Sequence, residues 1–253
     1  MKILIGMLLA VAGTMVFSAD VIERSFEMSP GYTLDLTNVS GNIDVRPGSG
    51  DTVRIRAKRE DERIDVTFRQ DGNRLVVRTE YPETRSTRGG VAFEVEVPAR
   101  GDLNLNSVSG SISVSGISGT HDIAGVSGRI TLTNMDGSLN VESVSGSLKL
   151  TDIGTAELDA TTISGSINYE GALSGGPYRF SSTSGSVSIR HGADASYSVE
   201  GSTVSGSISA DAPGVSVNKQ KYGPMKDLTG QYNGNGTTLR LNTVSGSISI
   251  SVK

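Results

Sequence analysis

The amino-acid sequence predicts an all-β protein: a single-stranded parallel β-solenoid, or β-helix, of about seven coils, with an N-terminal β region capping one end. Three observations predict this fold. A phrase of the type Val-Ser-Gly-Ser-Ile returns repeatedly from residue 108 onward. Its early copies are spaced by 18 residues, as in stacked repeat architectures. Within each copy, aliphatic and polar residues alternate as they do in a half-buried strand.

The repeat is aligned on the glycine of its Ser-Gly pair. That glycine occurs at positions 110, 128, 146, 165, 185, 206 and 246, so the steps are 18, 18, 19, 20, 21 and 40 residues. Weaker copies centred on Gly119, Gly137 and Gly154 lie between the early ones. The early unit is therefore nine residues long, and two units make one coil.

Each unit is interpreted as a strand, a corner, a short strand and a second corner. Ile112 and Val114 alternate with polar neighbours, which favours a strand. The next aliphatic residue, Ile117, comes three positions later, across a Ser-Gly pair. Glycine tolerates backbone angles that other residues avoid, so the chain is expected to bend there.

Stacking these units predicts three inward columns of side chains. Adjacent strands lie about 4.8 Å apart, so seven coils would form a rod about 34 Å long. Each buried aliphatic side chain would contribute about 1.5–3 kcal/mol. The first column is Ile112, Ile130, Leu148, Ile167, Val187, Ile208 and Ile248; the second is Val114, Leu132, Leu150, Tyr169, Ile189, Ala210 and Ile250; the third is Val108, Val126, Val144, Ile163, Thr183, Val204 and Val244.

Two other solenoids with coils of similar length fit the sequence less well. A left-handed hexapeptide helix needs an aliphatic residue every six positions, and that pattern fails from Ile112 onward. A calcium β-roll needs aspartates in its corners, whereas the corners here carry Ser, Thr or Arg129 after the glycine. We therefore expect no metal site and no cofactor.

Residues 1–19 are interpreted as a signal peptide. Lys2 precedes an apolar run from Ile3 to Phe17 that is too short to span a bilayer comfortably. Small residues suit cleavage after Ala19, with cleavage after Ser18 as the alternative, and a retained N-terminal membrane anchor is the other interpretation. We expect an exported protein of the periplasm, the cell surface or the medium.

Residues 20–100 form the predicted N-terminal β region. It carries one early copy of the phrase at Val39–Ile43, followed by alternating runs typical of strands with one polar face. We expect this region to close one end of the solenoid, because an open strand edge invites aggregation. The boundary is predicted near Pro98–Gly101, and the Ser/Gly-rich solenoid spans 101–253.

Residues 212–236 occupy the 40-residue step and are predicted to be an irregular insertion in the solenoid. Loops carry function more often than cores do, so the candidate binding surface is assigned to this segment. The alternative is a stretch of irregular coil, or a cap near the C-terminal end. The candidate residues are Lys219, Lys221, Tyr222, Lys226 and Tyr232.

Composition excludes several classes of function. The chain has no cysteine, so disulfides, thiolate zinc sites and thiol nucleophiles are excluded. Its formal net charge is −4, and residues 101–212 hold four Lys or Arg against eleven Asp or Glu. A nucleic-acid partner is not expected, because such a partner needs a basic face.

No catalytic constellation is visible in the sequence. Serine repeats at equivalent positions, so no nucleophile is singled out. His121 falls where other units have an inward aliphatic residue and is expected to be a satisfied structural histidine. His191 follows Arg190 at a corner and is expected to be exposed. Two distant histidines do not predict a zinc site.

Four stretches of the sequence carry a resemblance to a known family. They are VAFEVEVPARGDLNLNSVSGSISV (91–114), the recurring S-G-[SR]-[IL] corners, LTNVSGNIDV (36–45), and the glycine-rich stretch before TLRLNTVSGSISI (238–250). With these stretches the chain resembles the DUF4097 family, whose members are called candidate adhesins. The resemblance implies an exported or envelope-facing β-solenoid, and it brings no catalytic residues with it.

Three functions follow as hypotheses. The first is an exported non-catalytic β-solenoid, adhesin-like or envelope-associated, whose partner is an envelope glycan, a surface or another protein. The second is an envelope stress or structural protein that self-associates through the solenoid end, since the chain stops on the apolar strand ISISVK with only Lys253 as a guard. The third is a carbohydrate-active enzyme using Glu170, Arg179 and Arg190, which rests on fold-level analogy alone.

Overall fold

A computed structural model of the chain describes residues 21–82, 89–219, 224–234 and 236–253. Over these residues the protein is built from β-strands, without helices, so the all-β prediction is confirmed. The strands are β1 (Val21–Glu27), β2 (Tyr32–Ser40), β3 (Ile43–Pro47), β4 (Thr52–Arg59), β5 (Asp65–Asp71), β6 (Arg74–Glu80), β7 (Val91–Val97), β8 (Gly101–Ser109), β9 (Ile112–Ser115), β10 (Ser118–Ser127), β11 (Ile130–Thr133), β12 (Asp136–Ser143), β13 (Leu148–Thr151), β14 (Gly154–Thr162), β15 (Ile167–Glu170), β16 (Tyr178–Ser182), β17 (Val187–His191), β18 (Tyr197–Ser205), β19 (Ile208–Asp211), β20 (Val215–Lys219), β21 (Lys226–Tyr232), β22 (Thr237–Ser245) and β23 (Ile248–Val252).

The strands form two large, mostly parallel sheets, as expected of a β-solenoid-like fold. Sheet A has eleven strands in the order β1-β4-β7-β3-β9-β11-β13-β15-β17-β23-β19. Sheet B has twelve, in the order β20-β21-β18-β22-β16-β14-β12-β10-β8-β2-β6-β5. Antiparallel pairing is confined to the ends of the sheets, at β1–β4–β7, β5–β6 and β18–β21–β20. Long-range parallel pairing therefore organises the middle of the molecule.

The first two predicted columns form the sheet A side of the core. Ile112 pairs with Ile130, and Ile130 with Leu148, in unbroken parallel register. The same register brings Leu150 beside Tyr169. Members of both columns are buried, apart from Ile208 and Ala210 in β19, which are half-buried at the edge of sheet A. The inward faces of sheet B close the core from the other side, with Leu103, Leu105, Ile123, Leu139, Val141, Leu158, Phe180, Leu239 and Leu241.

The order of the last coils differs from the predicted one. The C-terminal strands β22 and β23 do not follow β18 and β19 at the end of the stack. Instead β22 pairs with β16 on one side and β18 on the other, and β23 pairs with β17 and β19. The terminal strand ISISV is therefore an interior strand, and the prediction that it forms an open solenoid end is wrong. Strand order is set by pairing in space, which a list of repeats does not encode.

The segment predicted as an irregular insertion contains regular structure. Within 212–236, the described residues form β20 and β21, an antiparallel pair attached to the outer edge of β18. This arrangement explains the 40-residue step. The chain leaves the stack after β19, adds two strands beyond β18, and then returns to insert its last coil between β16 and β18.

The region 20–100 shares both sheets with the repeat region. Strands β2 and β3 pair in parallel with β8 and β9. At the predicted boundary, the Tyr32 hydroxyl donates to the Pro98 carbonyl at 3.1 Å, and a side chain at position 101 would overlap the Tyr32 ring. Hydrogen bonding and packing are thus continuous across Pro98–Gly101.

The corner glycines stack directly on one another. A Cβ at Gly165 would overlap the backbone carbonyl oxygen of Gly146, and a Cβ at Gly185 would overlap that of Gly165. Only a hydrogen atom fits between successive corners. The glycine of the repeated phrase is therefore required by the distance between coils.

Replacing a corner glycine tests this steric requirement. We expect Gly165→Ala to lower the free energy of unfolding by about 3 kcal/mol or more, because the clash is with backbone and is relieved only by separating two coils. Gly154→Ala is the matched control, since its Cβ would have its nearest neighbour at 3.7 Å. That variant should change stability by less than about 1 kcal/mol. Urea unfolding monitored by circular dichroism measures both, and equal losses would contradict the stacking.

Candidate functional site

A row of aliphatic side chains lies on the outside of sheet B, one from each coil. We call this row the aliphatic ladder. Its seven aliphatic members are between 40% and 51% exposed, and its one polar member, Thr183, is also exposed. In stack order the ladder is Val39, Val108, Val126, Val144, Ile163, Thr183, Val244 and Val204.

The third predicted column was expected to point inward, and that prediction is wrong: its residues belong to the outward-facing aliphatic ladder. Along β8, Leu103, Leu105 and Ser107 are buried, so the alternate position Val108 faces solvent. The alternation of inward and outward side chains therefore continues along the strand as far as the corner. The alternation shifts by one residue only after the corner. Counting alternation from the leucines of β8, instead of assigning every aliphatic residue to the core, would have found this.

A buried polar column explains why the valines face outward. At the position before six of the eight ladder residues the chain carries a buried side chain that bonds to the corner backbone. Thr162 donates to the Gly146 carbonyl at 3.4 Å, and Ser182 donates to the Gly165 carbonyl at 3.1 Å. Buried carbonyls need a donor, so the hydroxyl takes the inward position. The same role recurs with Thr243 on Gly185, Thr203 on Gly246 and Asn38 on Gly41.

Two further columns flank the ladder and complete a surface that we call the neutral face. One consists of the serine that follows each ladder residue: Ser40, Ser109, Ser127, Ser145, Ser164, Ser184, Ser245 and Ser205. The other consists of the outward residue two positions before each ladder residue: Thr37, Asn106, Ala124, Glu142, Thr161, Ser181, Asn242 and Ser202. Glu142 is its single charged residue, although 20% of the chain is charged.

The N-terminal half of the neutral face contains a groove of about 430 Å³. Val108, Val126, Val144 and Ile163 line it. Gly125 takes the hydroxyl position of its coil, between Ser107 and Ser143, so the buried polar column is interrupted there.

Two buried polar atoms lie beside this interruption. Asn38 Oδ1 and Ser107 Oγ belong to residues that line the groove, and both lack a hydrogen-bond partner among the described residues. The Gly41 carbonyl of the neighbouring coil already accepts from Asn38 Nδ2, and Gly125 has no side chain to offer. The buried polar column is therefore incompletely hydrogen-bonded on this side of the groove.

The residues predicted as the binding surface in 212–236 do not come together as an exposed set. Lys221 and Tyr222 lie outside the described residues, and so does the side chain of Lys219. The Lys226 ammonium donates to the Gly206 carbonyl at the last corner of the stack. Tyr232 is 6% exposed and packs in the core, so it does not belong to a surface.

Tyr232 is part of an aromatic cluster with His191 and Tyr197. His191 was expected to be exposed, and that prediction is wrong: its side chain is buried. Its Nδ1 lies 2.9 Å from the Gly192 carbonyl, which only accepts, so Nδ1 carries the proton. Nε2 then accepts from the Tyr197 hydroxyl at 2.9 Å. Burial, with a smaller contribution from Tyr232, raises the pKa of Tyr197 to about 12.

His121 is inward, as predicted, but its ring is not satisfied. It lies between Leu103 and Leu139 in the column of β8, β10 and β12 and is 1% exposed. Neither ring nitrogen makes a hydrogen bond of normal geometry to a described residue. Burial lowers the pKa of His121 from its ordinary value near 6.5, and the opposing charge of Asp102 offsets only part of that effect.

The residues considered for a carbohydrate-active enzyme form surface ion pairs. Arg179 pairs with Glu157 at 2.6 Å, and Arg190 lies 3.8 Å from Glu170, which also binds Lys253. Over the described ranges, no three His, Asp or Glu side chains are grouped so that they could hold a metal ion. In the same residues no helix is long and apolar enough to cross a membrane.

The chain is similar to one protein family and to several solved structures. The model of the Toastrack DUF4097 family matches residues 83–251. A candidate adhesin from Bacteroides fragilis NCTC 9343 is 12% identical with a TM-score of 0.43, over 92% of this chain and 98% of that one. A candidate cell adhesion protein from Clostridium sporogenes ATCC 15579 is 10% identical with a TM-score of 0.37, over 92% and 100%. No curated protein matches the chain.

The inward hydroxyls can be tested with two neighbouring threonines. We expect Thr162→Val to lower the free energy of unfolding by about 1–2 kcal/mol, because it leaves the buried Gly146 carbonyl without that donor. Thr161→Val is the matched control, since Thr161 is exposed and bonds only to Asp159 on the surface. Its effect should stay within about 0.5 kcal/mol. Denaturant unfolding of the two variants measures both free energies. A larger loss of stability for Thr161→Val would contradict the role of the Thr162 hydroxyl as the inward donor.

His121 predicts an acid-sensitive stability. Because folding lowers its pKa, the unfolded chain binds the proton first as the pH falls through about 6.5, and stability decreases below that pH. We expect His121→Leu, which matches Leu103 and Leu139 in the same column, to remove this loss and to raise the melting temperature at pH 5.5. Thermal melts at pH 7.5 and pH 5.5 measure it, with Asp122→Asn as the control. An unchanged difference between the two pH values would refute the role of His121.

Proposed function

Because the chain belongs to the Toastrack DUF4097 family, we propose that it is an exported, non-catalytic β-solenoid protein that acts by binding, in an adhesin-like or envelope-associated role. The observation that carries this proposal is the neutral face. Exposed apolar patches on soluble proteins mark interaction sites when they are contiguous and rimmed by polar residues. The aliphatic ladder runs over eight coils with Thr183 as its one polar interruption, and it is rimmed by serines on one side.

The chemistry of the neutral face is that of a recognition surface. Depletion of charge, rather than overall hydrophobicity, distinguishes the centre of protein interfaces. Glu142 is the one charge among its three columns. By contrast, the N-terminal end of sheet A carries the ion pairs Arg46–Glu96 and Arg56–Glu94 on its strands. A partner that covers the ladder would remove apolar side chains from water without having to displace many charges.

The proposed architecture is a stack of about seven coils in 101–253 with the N-terminal β region as its cap. Strands β1 and β5, at the N-terminal edges of the two sheets, support it. Both are rich in charged residues, and charge on an edge strand opposes the addition of further strands. The signal peptide 1–19 and delivery to the periplasm, the cell surface or the medium are part of the same proposal.

Neither alternative function is supported by the arrangement of the residues that it named. Self-association through the solenoid end relied on ISISV as an open edge, and β23 is paired on both sides. The enzyme alternative, which rests on fold-level analogy, named Glu170, Arg179 and Arg190; Arg190 pairs with Glu170, whereas Arg179 pairs with Glu157. The envelope glycan, a surface or another protein remain the proposed classes of partner.

Binding by the neutral face can be measured directly. Residues 20–253 are co-sedimented with cell-wall sacculi, outer-membrane fractions and insoluble polysaccharides. We expect saturable binding that Val126→Asp with Val144→Asp weakens at least tenfold, because two carboxylates would have to be desolvated in the contact. The control is Thr131→Asp with Thr151→Asp, which adds the same charge to the outer face of sheet A on the same two coils.

The result separates three cases. Loss of binding in the ladder variant alone supports the neutral face as the recognition surface. Equal losses in both variants would mean that the added charge, and not the ladder, is responsible. No binding to any of the fractions would remove envelope recognition as the function.

A further inference from the structure

We propose that the neutral face binds the neutral face of a second copy of this chain, so that recognition is homophilic. This inference rests on the proposed binding function and names its partner. Three features of the face favour a second copy: the spacing of its side chains, their capacity to pair with themselves, and the rigidity of the backbone beneath them.

The spacing of the ladder is matched by another copy. One aliphatic side chain projects from each coil, and coils related by parallel pairing lie about 4.8 Å apart. A partner that packs closely must offer recesses with the same repeat along the whole length. Facing β-sheets with identical rows achieve this by interdigitation, one row of side chains filling the gaps of the other. A second copy of this chain carries the same row of aliphatic side chains with the same spacing.

The polar part of the face is also self-complementary. Each serine hydroxyl of the flanking column can both donate and accept a hydrogen bond, so two such columns can satisfy each other. A lysine or carboxylate column would instead repel its own copy. Interfaces between identical chains are usually two-fold, with the same patch on both sides, and a face with a single carboxylate per copy meets that requirement.

The backbone below the ladder is already ordered. The Ser145 amide donates to the Val126 carbonyl at 2.8 Å, and the Ser164 amide donates to the Val144 carbonyl at 2.8 Å. The Ser184 amide continues the series on the Ile163 carbonyl at 2.7 Å. Binding therefore orders few groups, which lowers its entropic cost.

The size of the face predicts a weak dimer. It is about 34 Å long and about 10 Å wide from strand geometry, so it presents roughly 350 Å² in projection. Protruding side chains raise the total buried by two copies to about 1,000 Å², where specific but weak interfaces begin. We expect a dissociation constant in the micromolar range. Many copies on one surface would strengthen such a contact through multivalency.

The absence of cysteine from the chain allows a clean contact test. Val144 lies near the middle of the ladder, so it faces the region of its own counterpart whether the two copies run parallel or antiparallel. The variant Val144→Cys with a short bismaleimide should therefore yield a covalent dimer. Thr151→Cys is the control and should give no covalent dimer, because Thr151 lies in β13 on the outer face of sheet A.

Sedimentation equilibrium of the purified protein gives the decisive measurement. We expect a monomer–dimer equilibrium that Val126→Asp with Val144→Asp shifts at least tenfold toward monomer, and that Thr131→Asp with Thr151→Asp leaves unchanged. Glu142→Gln should tighten it several-fold, since it removes the one charge that the dimer contact would bury. Circular dichroism melts confirm that each variant is folded.

The outcomes also separate this inference from the proposed function. A protein that stays monomeric at about 0.5 mM, or a dimer that the ladder variant leaves intact, overturns the homophilic contact. If that monomer still binds envelope fractions through the ladder, the proposed function stands with a different partner. If it binds nothing, both are overturned.

Discussion

The approach of one corner glycine to the next is the constraint on which the rest of the structure depends. Gly146, Gly165 and Gly185 are stacked so closely that a Cβ would overlap the carbonyl below it. That closeness lets the strands on both sides of each corner keep their parallel hydrogen bonds. It also buries the corner carbonyls, which then require a donor from within the coil.

The need for a donor decides what the surface looks like. Because a buried hydroxyl reaches a corner carbonyl from inside in several coils, as Thr162 and Ser182 do, the next residue of the strand faces outward. In seven of the eight coils that residue is aliphatic. A surface of repeated valines is thus the counterpart of a repeated buried hydroxyl. The coil does not need an aliphatic residue at this outward position, since Thr183 occupies it in one coil.

Not every coil meets these requirements equally. Gly125 carries no hydroxyl, and Asn38 Oδ1 and Ser107 Oγ lack partners among the described residues beside the groove. His121 puts a polar ring among leucines. Both irregularities fall in or next to β10, whereas His191, further along, is satisfied by Gly192 and Tyr197. Buried polar atoms without partners in the described part of the chain are therefore concentrated in the coils around β10.

The sequence by itself determined the all-β class, the coil length, and the two inward columns that begin with Ile112 and Val114, because local alternation and a fixed period carry that information. It did not determine the facing of Val108 and its equivalents, since a serine that satisfies a buried carbonyl looks like a surface residue in sequence. The insertion of β22 and β23 between earlier coils was decided by tertiary structure alone. Near-identical repeats can pair in several orders, and here the hairpin β20–β21 occupies one edge of β18 while β22 occupies the other.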